Sequence, residues 1–376
     1  MLMPITEKHL HVPFVDLQAQ YASIKTEVDA AIADVLNRTS FIGGPQVKSF
    51  EEEFARYCGV GHCVGVANGT DAIAIALRAL GIGAGHEVIT AANSFIATSE
   101  AITMAGASPV FVDIDPRTCN IDVSRIEEKI TAATRAIVPV HLYGQPADMD
   151  PIRDIAFRHG LRIVGDAAQA HGALYRQQPI ATLADATCYS FYPGKNLGAY
   201  GDAGAIVTAD ADVATRARMI ANHGRIAKYD HTMEGVNSRL DGLQAAILRV
   251  KLAHLERWTE ARRSNAARYT ALLQETPVTL PYELPDVRAV YHLYVVRVPA
   301  ARRDAIQASL KTSGIETGIH YPIALPHLEA YRHLGHAPAD FPEALRASGD
   351  VLSLPMFPEL SGAQADHVVN SLRSCL

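Results

Sequence analysis

The chain has 376 residues, of which 48% are hydrophobic and 20% are charged. A chain of this length and composition can bury a large core and is expected to form at least two domains, which excludes wholesale disorder. Its 34 basic and 40 acidic side chains give a net charge of −6. Because the sequence also lacks a basic tract, a dedicated nucleic-acid binder is excluded.

Membrane and metal functions are not indicated either. No apolar run approaches the roughly 18–20 residues that a membrane helix needs, so no membrane segment is expected. Residues 1–14 lack the basic stretch and apolar core of a secretory signal. The five cysteines are scattered and form no CxxC pair. The sequence therefore predicts a cytoplasmic protein with reduced thiols and no metal site.

Between about residues 60 and 210, short β-rich runs alternate with segments of helical periodicity. Strands are predicted at 63–66, 87–91, 109–112, 136–140, 162–165, 187–191 and 204–208, and helices at 71–80, 94–105, 124–132 and 150–158. This βαβ spacing predicts an α/β fold whose mostly parallel central sheet is flanked by helices on both faces. The last two strands are joined by a glycine-rich loop and need not run parallel.

After residue 210 the pattern changes. Residues 240–275 have helical spacing without proline, which predicts one long helix or a kinked pair. A strand is predicted at 291–298, and short helices are predicted near 301–312, 341–349 and 362–373. We therefore predict a large α/β domain over residues 1–245 and a smaller C-terminal α+β domain over residues 246–376, joined by the long helix.

Polar residues that could carry chemistry follow several of the predicted strands. In parallel α/β sheets, ligands bind beyond the carboxyl ends of the strands. The segment Asn68-Gly69-Thr70-Asp71 opens helix 71–80, where free amides and the helix dipole can bind a phosphate. A plain helix cap by Thr70 or Asp71 is the alternative. Asp166 ends another strand and either pairs with a cation or caps a helix.

A third cluster runs from Ser190 to Lys195 and lies in a turn rich in glycine, proline and aromatic residues. Most lysines are exposed, but a partly desolvated lysine has a lowered pKa and becomes a nucleophilic amine. Taken together, the three clusters suit pyridoxal phosphate (PLP). The lysine would bond to the cofactor, Asp166 would keep the pyridine nitrogen protonated, and the helix start would hold the phosphate.

On these residues the chain resembles the DegT/DnrJ/EryC1/StrS family of PLP-dependent sugar aminotransferases, which have the aspartate-aminotransferase fold (fold type I). The resemblance runs nearly end to end. Its longest strings are FIGGPQVKSFEEEFARY (41–57), NGTDAIAIALRALGIG (68–83), DAAQAHGA (166–173), SFYPGKNLGAYGDAGA (190–205) and NSRLDGLQAAILRVKL (237–252). The strings PVHLYGQPADMD (139–150) and 237–255 look closest to the branch that aminates C3 of dTDP-3-keto-6-deoxyhexoses.

The resemblance implies a role for each matching residue. Lys195 would be the Schiff-base lysine and the acid/base of the proton shift, and Asp166 would pair with the pyridine nitrogen. Further cofactor contacts are implied for Gly69, Thr70, Asp71, Phe95, Gln169, Ser190 and Asn237. The resemblance also implies a homodimer with the active site at the subunit interface, in which Asn237 would reach the neighbour's phosphate. Arg239, His320 and Tyr321 would lie toward the sugar nucleotide.

The implied reaction moves an amino group from L-glutamate to a nucleotide-linked keto-deoxysugar, with the cofactor passing through its amine form (PMP). C3 of a dTDP-3-keto-6-deoxyhexose is the first expectation. C4-amination of a 4-keto sugar nucleotide is the alternative, amination of a keto-inositol is a more distant one, and a PLP-binding regulator without turnover is another. Some relatives carry histidine in place of the lysine and catalyse dehydration, which Lys195 argues against. One departure is Gly165, where relatives commonly carry a polar residue.

Overall fold

The computed structural model describes residues 10–376. Its first half is built from the helices α1 (Leu17–Arg38), α2 (Gly44–Tyr57), α3 (Gly69–Ala79), α4 (Ala97–Met104), α5 (Met149–His159) and α6 (Ala211–Ala221). The strands among them are β1 (His62–Val66), β2 (Glu87–Ala91), β3 (Ser108–Val112), β4 (Thr134–Val138), β5 (Arg162–Asp166), β6 (Leu174–Tyr175), β7 (Gln178–Pro179), β8 (Ala186–Ser190) and β9 (Gly204–Thr208).

Seven of these strands form one sheet in the order β1-β9-β8-β5-β4-β2-β3. Neighbouring strands are parallel except β9, which is antiparallel to both β1 and β8. The predicted α/β fold with a mostly parallel central sheet is thus confirmed. The exception involves β8 and β9, the two strands that are joined by the glycine-rich loop and that the sequence did not require to be parallel.

Helices cover both faces of the sheet, as predicted. Adjacent strand residues such as Ile163 and Val164 pack into different apolar clusters, because successive side chains point to opposite faces. One cluster contains side chains of α3, α4 and α6, and the other contains side chains of α2, α5 and the long helix α7 (Gly242–Leu273). Helix α3 buries nearly every residue from Ala72 to Ala79, which fits its almost wholly apolar sequence.

The remaining elements are β10 (Arg225–Ala227), β11 (Asp230–His231), α7 (Gly242–Leu273), β12 (Val287–Arg288), β13 (Tyr294–Arg297), α8 (Arg303–Thr312), α9 (Pro342–Asp350), β14 (Val351–Leu354) and α10 (Gly362–Cys375). The predicted long helix is α7, a single helix of 32 residues. Its N-terminal half packs on the sheet, and its C-terminal half joins a separate core with β13, β14 and α10. The domain division after residue 245 stays a prediction. Among the described residues, no helix has both the length and the apolar character needed to cross a bilayer.

The prediction of a helix at residues 124–132 was wrong. The structure has two single 3₁₀ turns there, Val123–Arg125 and Glu127–Lys129. The Asp122 carboxylate accepts from the Ser124 amide at 3.0 Å, and the Thr131 hydroxyl donates to Glu87 at 2.5 Å. These side-chain hydrogen bonds compete with a helical ladder and lead the chain directly into β4.

The close approach of two backbone segments yields the first prediction. A Cβ atom added to Gly204 would lie 2.4 Å from the carbonyl carbon of Asn68. Gly204→Ala must therefore separate β9 from the start of α3, and we expect a loss of about 1–3 kcal/mol in the free energy of unfolding. Gly61→Ala is the matched control, because nothing lies within 4 Å of its added Cβ. Equal midpoints for the two variants in urea unfolding would contradict the prediction.

Candidate active site

The sheet topology brings the three polar clusters together. Asp166 is the last residue of β5, and Ser190 is the last residue of β8. Two residues separate the end of β1 from the start of α3. These strands are close neighbours in the order β1-β9-β8-β5, and the antiparallel β9 pairs Gly204 with Ser190 at the same edge. The carboxyl edge of the sheet therefore carries a helix N-terminus, a carboxylate and the turn that contains Lys195.

The start of α3 touches the end of β8. A Cβ atom on Gly69 would lie 2.6 Å from the Cβ atom of Ser190, so glycine is required for this approach. The cap of α3 is Asn68, whose side chain accepts from the Asp71 amide at 2.8 Å. The capping residue is therefore neither Thr70 nor Asp71. This leaves first-turn amides of α3 and the hydroxyl groups of Thr70 and Ser190 as donors that could surround an anion.

Lys195 lies in a tight turn after β8. Its amide donates to the carbonyl of Tyr192 at 2.8 Å, and the Ala199 amide donates to the carbonyl of Phe191 at 2.7 Å. Burial lowers the pKa of the Lys195 amine to about 8, while the negative charge of Asp166 opposes that shift. A useful fraction of the amine is therefore unprotonated near neutral pH and available as a nucleophile.

Asp166 is a buried carboxylate, 5% exposed, whose hydrogen-bond partners are neutral. Its Oδ2 atom accepts from the Thr98 hydroxyl at 2.7 Å, and its Oδ1 atom accepts from the Ala168 amide at 3.1 Å. Burial raises its pKa, and the charge of Lys195 offsets only part of that effect. A buried carboxylate in this position is stabilised by a cation placed against it, which is what a protonated pyridine nitrogen supplies.

Gln169 joins three segments beside this carboxylate. Its Oε1 atom accepts from the Tyr143 amide at 2.7 Å, and its Nε2 atom donates to the Tyr321 hydroxyl at 3.0 Å. The Tyr321 ring lies 5.8 Å from the ring of Phe95, which is 56% exposed at the start of α4. The structure thus brings together three residues predicted for the site and presents an open aromatic face.

Three histidines near Lys195 are held neutral. Burial lowers the pKa of His171 to about 3 and that of His320 to about 4, and it lowers the pKa of His292 well below its usual range. The charge of Lys195 adds to each shift. Among these groups Lys195 therefore carries the positive charge of the site, and the rings offer neutral nitrogen atoms. His320 shares a hydrogen bond of 2.8 Å between its Nδ1 atom and the Ser353 hydroxyl.

Two predicted residues are not brought to this cluster within one chain. Asn237 is exposed, and no described contact joins Asn237 or Arg239 to Lys195 or Asp166. Ser238, between them, lies beside the end of β1, where its hydroxyl accepts from the Ala67 amide at 3.1 Å. The Nε atom of Arg239 is buried and has no acceptor among residues 10–376.

The departure at position 165 has a packing explanation. A Cβ atom on Gly165 would lie 3.3 Å from the Nε2 atom of His141 and 3.3 Å from the hydroxyl of Thr187. Any side chain at this point of β5 would have to displace one of them. The glycine at position 165 therefore affects the packing next to Asp166 and leaves the Asp166 carboxylate in place.

Sequence reasoning missed several residues of the site. Thr98 holds Asp166, Tyr143 donates to the carbonyl of His320, and His292 bonds Asn196 beside the lysine. Thr98 lies three residues after Phe95, which the resemblance places in the site, and its hydroxyl is also 2.7 Å from that of Ser94. The other two contacts join segments more than 90 residues apart in the chain, so no local pattern indicates them.

The electrostatics of this site give a second prediction. In the cofactor-free protein, amine labelling of Lys195 followed by mass spectrometry should reach half its maximal rate near pH 8, since burial lowers the pKa to about 8. Asp166→Asn removes the charge that opposes this shift, so it should lower the apparent pKa further. Labelling of the exposed Lys48 corrects for the pH dependence of the reagent. A Lys195 pKa near 10.5, or one that rises in Asp166→Asn, would refute this account.

Comparison with known proteins agrees with this geometry. The model of the DegT/DnrJ/EryC1/StrS aminotransferase family matches residues 22–373. A "dTDP-3-amino-3,4,6-trideoxy-alpha-D-glucose transaminase" of Streptomyces venezuelae is 47% identical, and the alignment covers 96% of this chain and 95% of that protein. A "Pleiotropic regulatory protein" of Geobacillus stearothermophilus is 48% identical, with coverage of 96% and 98%.

The likeness extends to solved structures. The crystal structure of S. venezuelae DesV in complex with a ketimine intermediate superposes with a TM-score of 0.95 at 46% identity, over 97% of this chain and 98% of that one. Solved structures of this fold include forms with bound PMP or PLP, and the expected PLP dependence is confirmed. This chain belongs to the DegT/DnrJ/EryC1/StrS family and is a PLP-dependent sugar-nucleotide aminotransferase.

Proposed function

We propose that the chain transfers an amino group from L-glutamate to C3 of a dTDP-linked 3-keto-6-deoxyhexose. The observation that carries the proposal is the juxtaposition of a lysine of lowered pKa, a buried carboxylate and a helix N-terminus at one edge of the sheet. The choice of C3 and of a dTDP sugar is supported by the printed activities of relatives such as the S. venezuelae transaminase.

Each group at this edge suits one part of PLP. The amides of Gly69 and Thr70 and the hydroxyls of Thr70 and Ser190 would donate to the phosphate, whereas the Asp71 amide is already bonded to the Asn68 side chain at 2.8 Å. Asp166 would hold the ring nitrogen in its protonated form, and the bound cofactor would then supply an electron sink for the carbanion at the amino-acid α carbon. Phe95 would cover one face of the ring, and Gln169 would contact the other face or the ring oxygen.

Lys195 would move the proton of the reaction. Its Nζ atom is unprotonated in part near neutral pH, so it could take a proton from the α carbon of the amino acid and return it two bonds away, as a 1,3-proton shift requires. Asp166 sets the balance, because its charge keeps the lysine pKa from falling further. Because the three surrounding histidines stay neutral near neutral pH, Lys195 is the member of this group whose charge changes in that range.

The sugar nucleotide would bind beyond the aromatic face. Tyr321 and neutral His320 line that side, and their hydroxyl and ring nitrogen can bond sugar hydroxyls. Arg239 is not brought to Lys195 within one chain, so it would donate to a phosphate oxygen of the nucleotide in the partner's site; its buried Nε atom has no acceptor among residues 10–376.

A homodimer is part of the proposal. Exposed Asn237 would reach the phosphate in the partner's site. Near it, Tyr229 is 84% exposed and Ile226 is 66% exposed on the β10–β11 hairpin, as expected of a surface covered by another subunit. We also propose a cytoplasmic location, supported by five free cysteines, four of them buried.

One observation favours a second function. The relative named as a pleiotropic regulatory protein is as similar as the transaminase. A regulator of this fold would bind PLP without transferring an amino group. Nothing in the geometry of Lys195 and Asp166 distinguishes the two functions, so the half-reaction with glutamate has to separate them. C4-amination differs only in the keto sugar that is accepted.

The half-reaction gives the third prediction. Purified protein with PLP should show a visible absorption band that L-glutamate bleaches, because the amino group passes to the cofactor. Lys195→Ala should lose the band and slow amino transfer by about 10²–10⁴-fold, whereas exposed Lys48→Ala should match the wild type. A band that glutamate leaves unchanged would favour the regulator, and a Lys195→Ala protein of native rate would exclude this lysine. Product analysis with 3-keto and 4-keto dTDP sugars then decides the position.

The shared site gives the fourth prediction. Lys195→Ala and Asn237→Ala homodimers should each be impaired. If Asn237 serves the partner's site, a mixed dimer places both substitutions in one site and leaves the other site wild type. Mixing the two variants after mild dissociation should therefore recover activity that neither has alone. Absence of recovery, with mixed dimers verified by mass spectrometry, would place Asn237 outside the partner's site.

A further inference from the structure

The segment from Tyr192 to Tyr200, which we call the lysine turn, is held from two sides. On one side Asn196, 3% exposed, donates from Nδ2 to the carbonyl of Val290 at 3.1 Å. Its Oδ1 atom accepts from Nδ1 of neutral His292 at 3.2 Å. The residue next to Lys195 is therefore fixed to the chain segment that precedes β13.

On the other side the lysine turn is held by helix α7. Lys251 is 1% exposed, and its Nζ atom donates to the carbonyl of Gly198 and lies 5.0 Å from the centroid of the Tyr200 ring. Gln244, about two helical turns earlier on the same face, accepts from the Tyr200 amide at 2.8 Å and donates to the Tyr200 carbonyl at 3.3 Å. Two side chains of one rigid helix thus bond adjacent parts of the turn.

The lysine turn transmits a displacement at Gly198 to Lys195. A Cβ atom at Gly198 would lie 2.3 Å from the carbonyl oxygen of Pro193, so the exit of the turn packs directly on its entry. The Lys195 amide is bonded to Tyr192 within the same compact loop. Moving the Gly198 carbonyl therefore moves the peptides that set the direction of the Lys195 side chain.

Burying Lys251 at this position costs free energy of folding. Fully buried lysines are rare, because desolvation disfavours the ammonium ion. Burial lowers its pKa to about 8, opposed by the charge of Glu359. A methionine would fill similar volume in an apolar environment without that cost. The contact that an apolar side chain could not make is the hydrogen bond to Gly198.

We propose that Lys251 is a positioning residue for Lys195, acting through the Gly198 carbonyl to hold the lysine turn against α7, with Gln244 as its second attachment. This inference rests on the proposed function in one respect, namely that Lys195 is the reacting amine. The rigidity of the turn itself can be measured whether or not the protein transfers amino groups.

The test is hydrogen exchange by mass spectrometry on the full cofactor-free chain. In Lys251→Met, peptides covering residues 192–200 should exchange about tenfold faster, because a charge-assisted hydrogen bond to the turn is lost. Peptides of β4 and β5 should be unchanged. Lys251→Arg, which keeps a cationic donor, should restore slow exchange. Arg257→Met, which removes an exposed cation of the same helix, should match the wild type.

A second readout is the rate at which the cofactor-free protein captures PLP, measured in stopped flow. It should fall in Lys251→Met at unchanged melting temperature and recover in Lys251→Arg. If Lys251→Met does not fold, Gln244→Ala carries the test on the same peptides. Unchanged exchange at 192–200, or faster exchange throughout the sheet, would overturn the proposal. Local loosening in a protein that glutamate cannot convert would instead refute the proposed function alone.

Discussion

The burial of one lysine and one aspartate at the carboxyl edge of the sheet is the constraint on which the rest of the site depends. Burial lowers the pKa of Lys195 and raises that of Asp166, so both groups are moved toward their neutral forms. Each charge partly offsets the effect of burial on the pKa of the other group. A cationic ring placed at Asp166 would stabilise the carboxylate and release the lysine to act as a base. The same edge also needs glycine at positions 69 and 204, because the backbones that carry the site approach too closely for a Cβ atom.

This arrangement leaves polar groups that the chain itself does not satisfy. His171 is fully buried with neither ring nitrogen bonded, and the Thr187 hydroxyl and the Asn93 amide also have no partner among residues 10–376. Unsatisfied buried groups of this kind cost stability and are uncommon. Thr187 lies in β8 and His171 lies five residues after Asp166, while other such groups, on Asn222, Thr259 and His327, lie elsewhere in the chain. The apolar clusters on both faces of the sheet stabilise the scaffold that holds these polar groups.

The elements that could be predicted from the sequence are those with a local pattern. Residues 163–165 and 204–208 are short β-branched or apolar runs, and α7 repeats apolar residues at helical spacing. The segment 124–132 contains helix-forming residues, but its Ser124 amide donates to Asp122 and its Thr131 hydroxyl donates to Glu87. These contacts form only in the folded chain and could not be predicted from the local sequence. Lys195 and Asp166 were recognisable because each follows a strand in an unusual setting. Tyr143, His292 and Lys251 were not, because each acts through a carbonyl or an amide far away in the chain.

One helix, α7, links the two halves of the chain. Helix α7 packs its first half on the sheet and its second half in the C-terminal core, and the same helix carries Lys251 to the lysine turn. Further along it, the buried Arg262 donates to the carbonyls of His292 at 3.3 Å and Met356 at 2.8 Å. One rigid helix therefore fixes both the turn that carries the reacting amine and the segment that carries the neutral histidine beside it. Any rotation of α7 would move these two parts of the site together, so the helix sets the spacing between them.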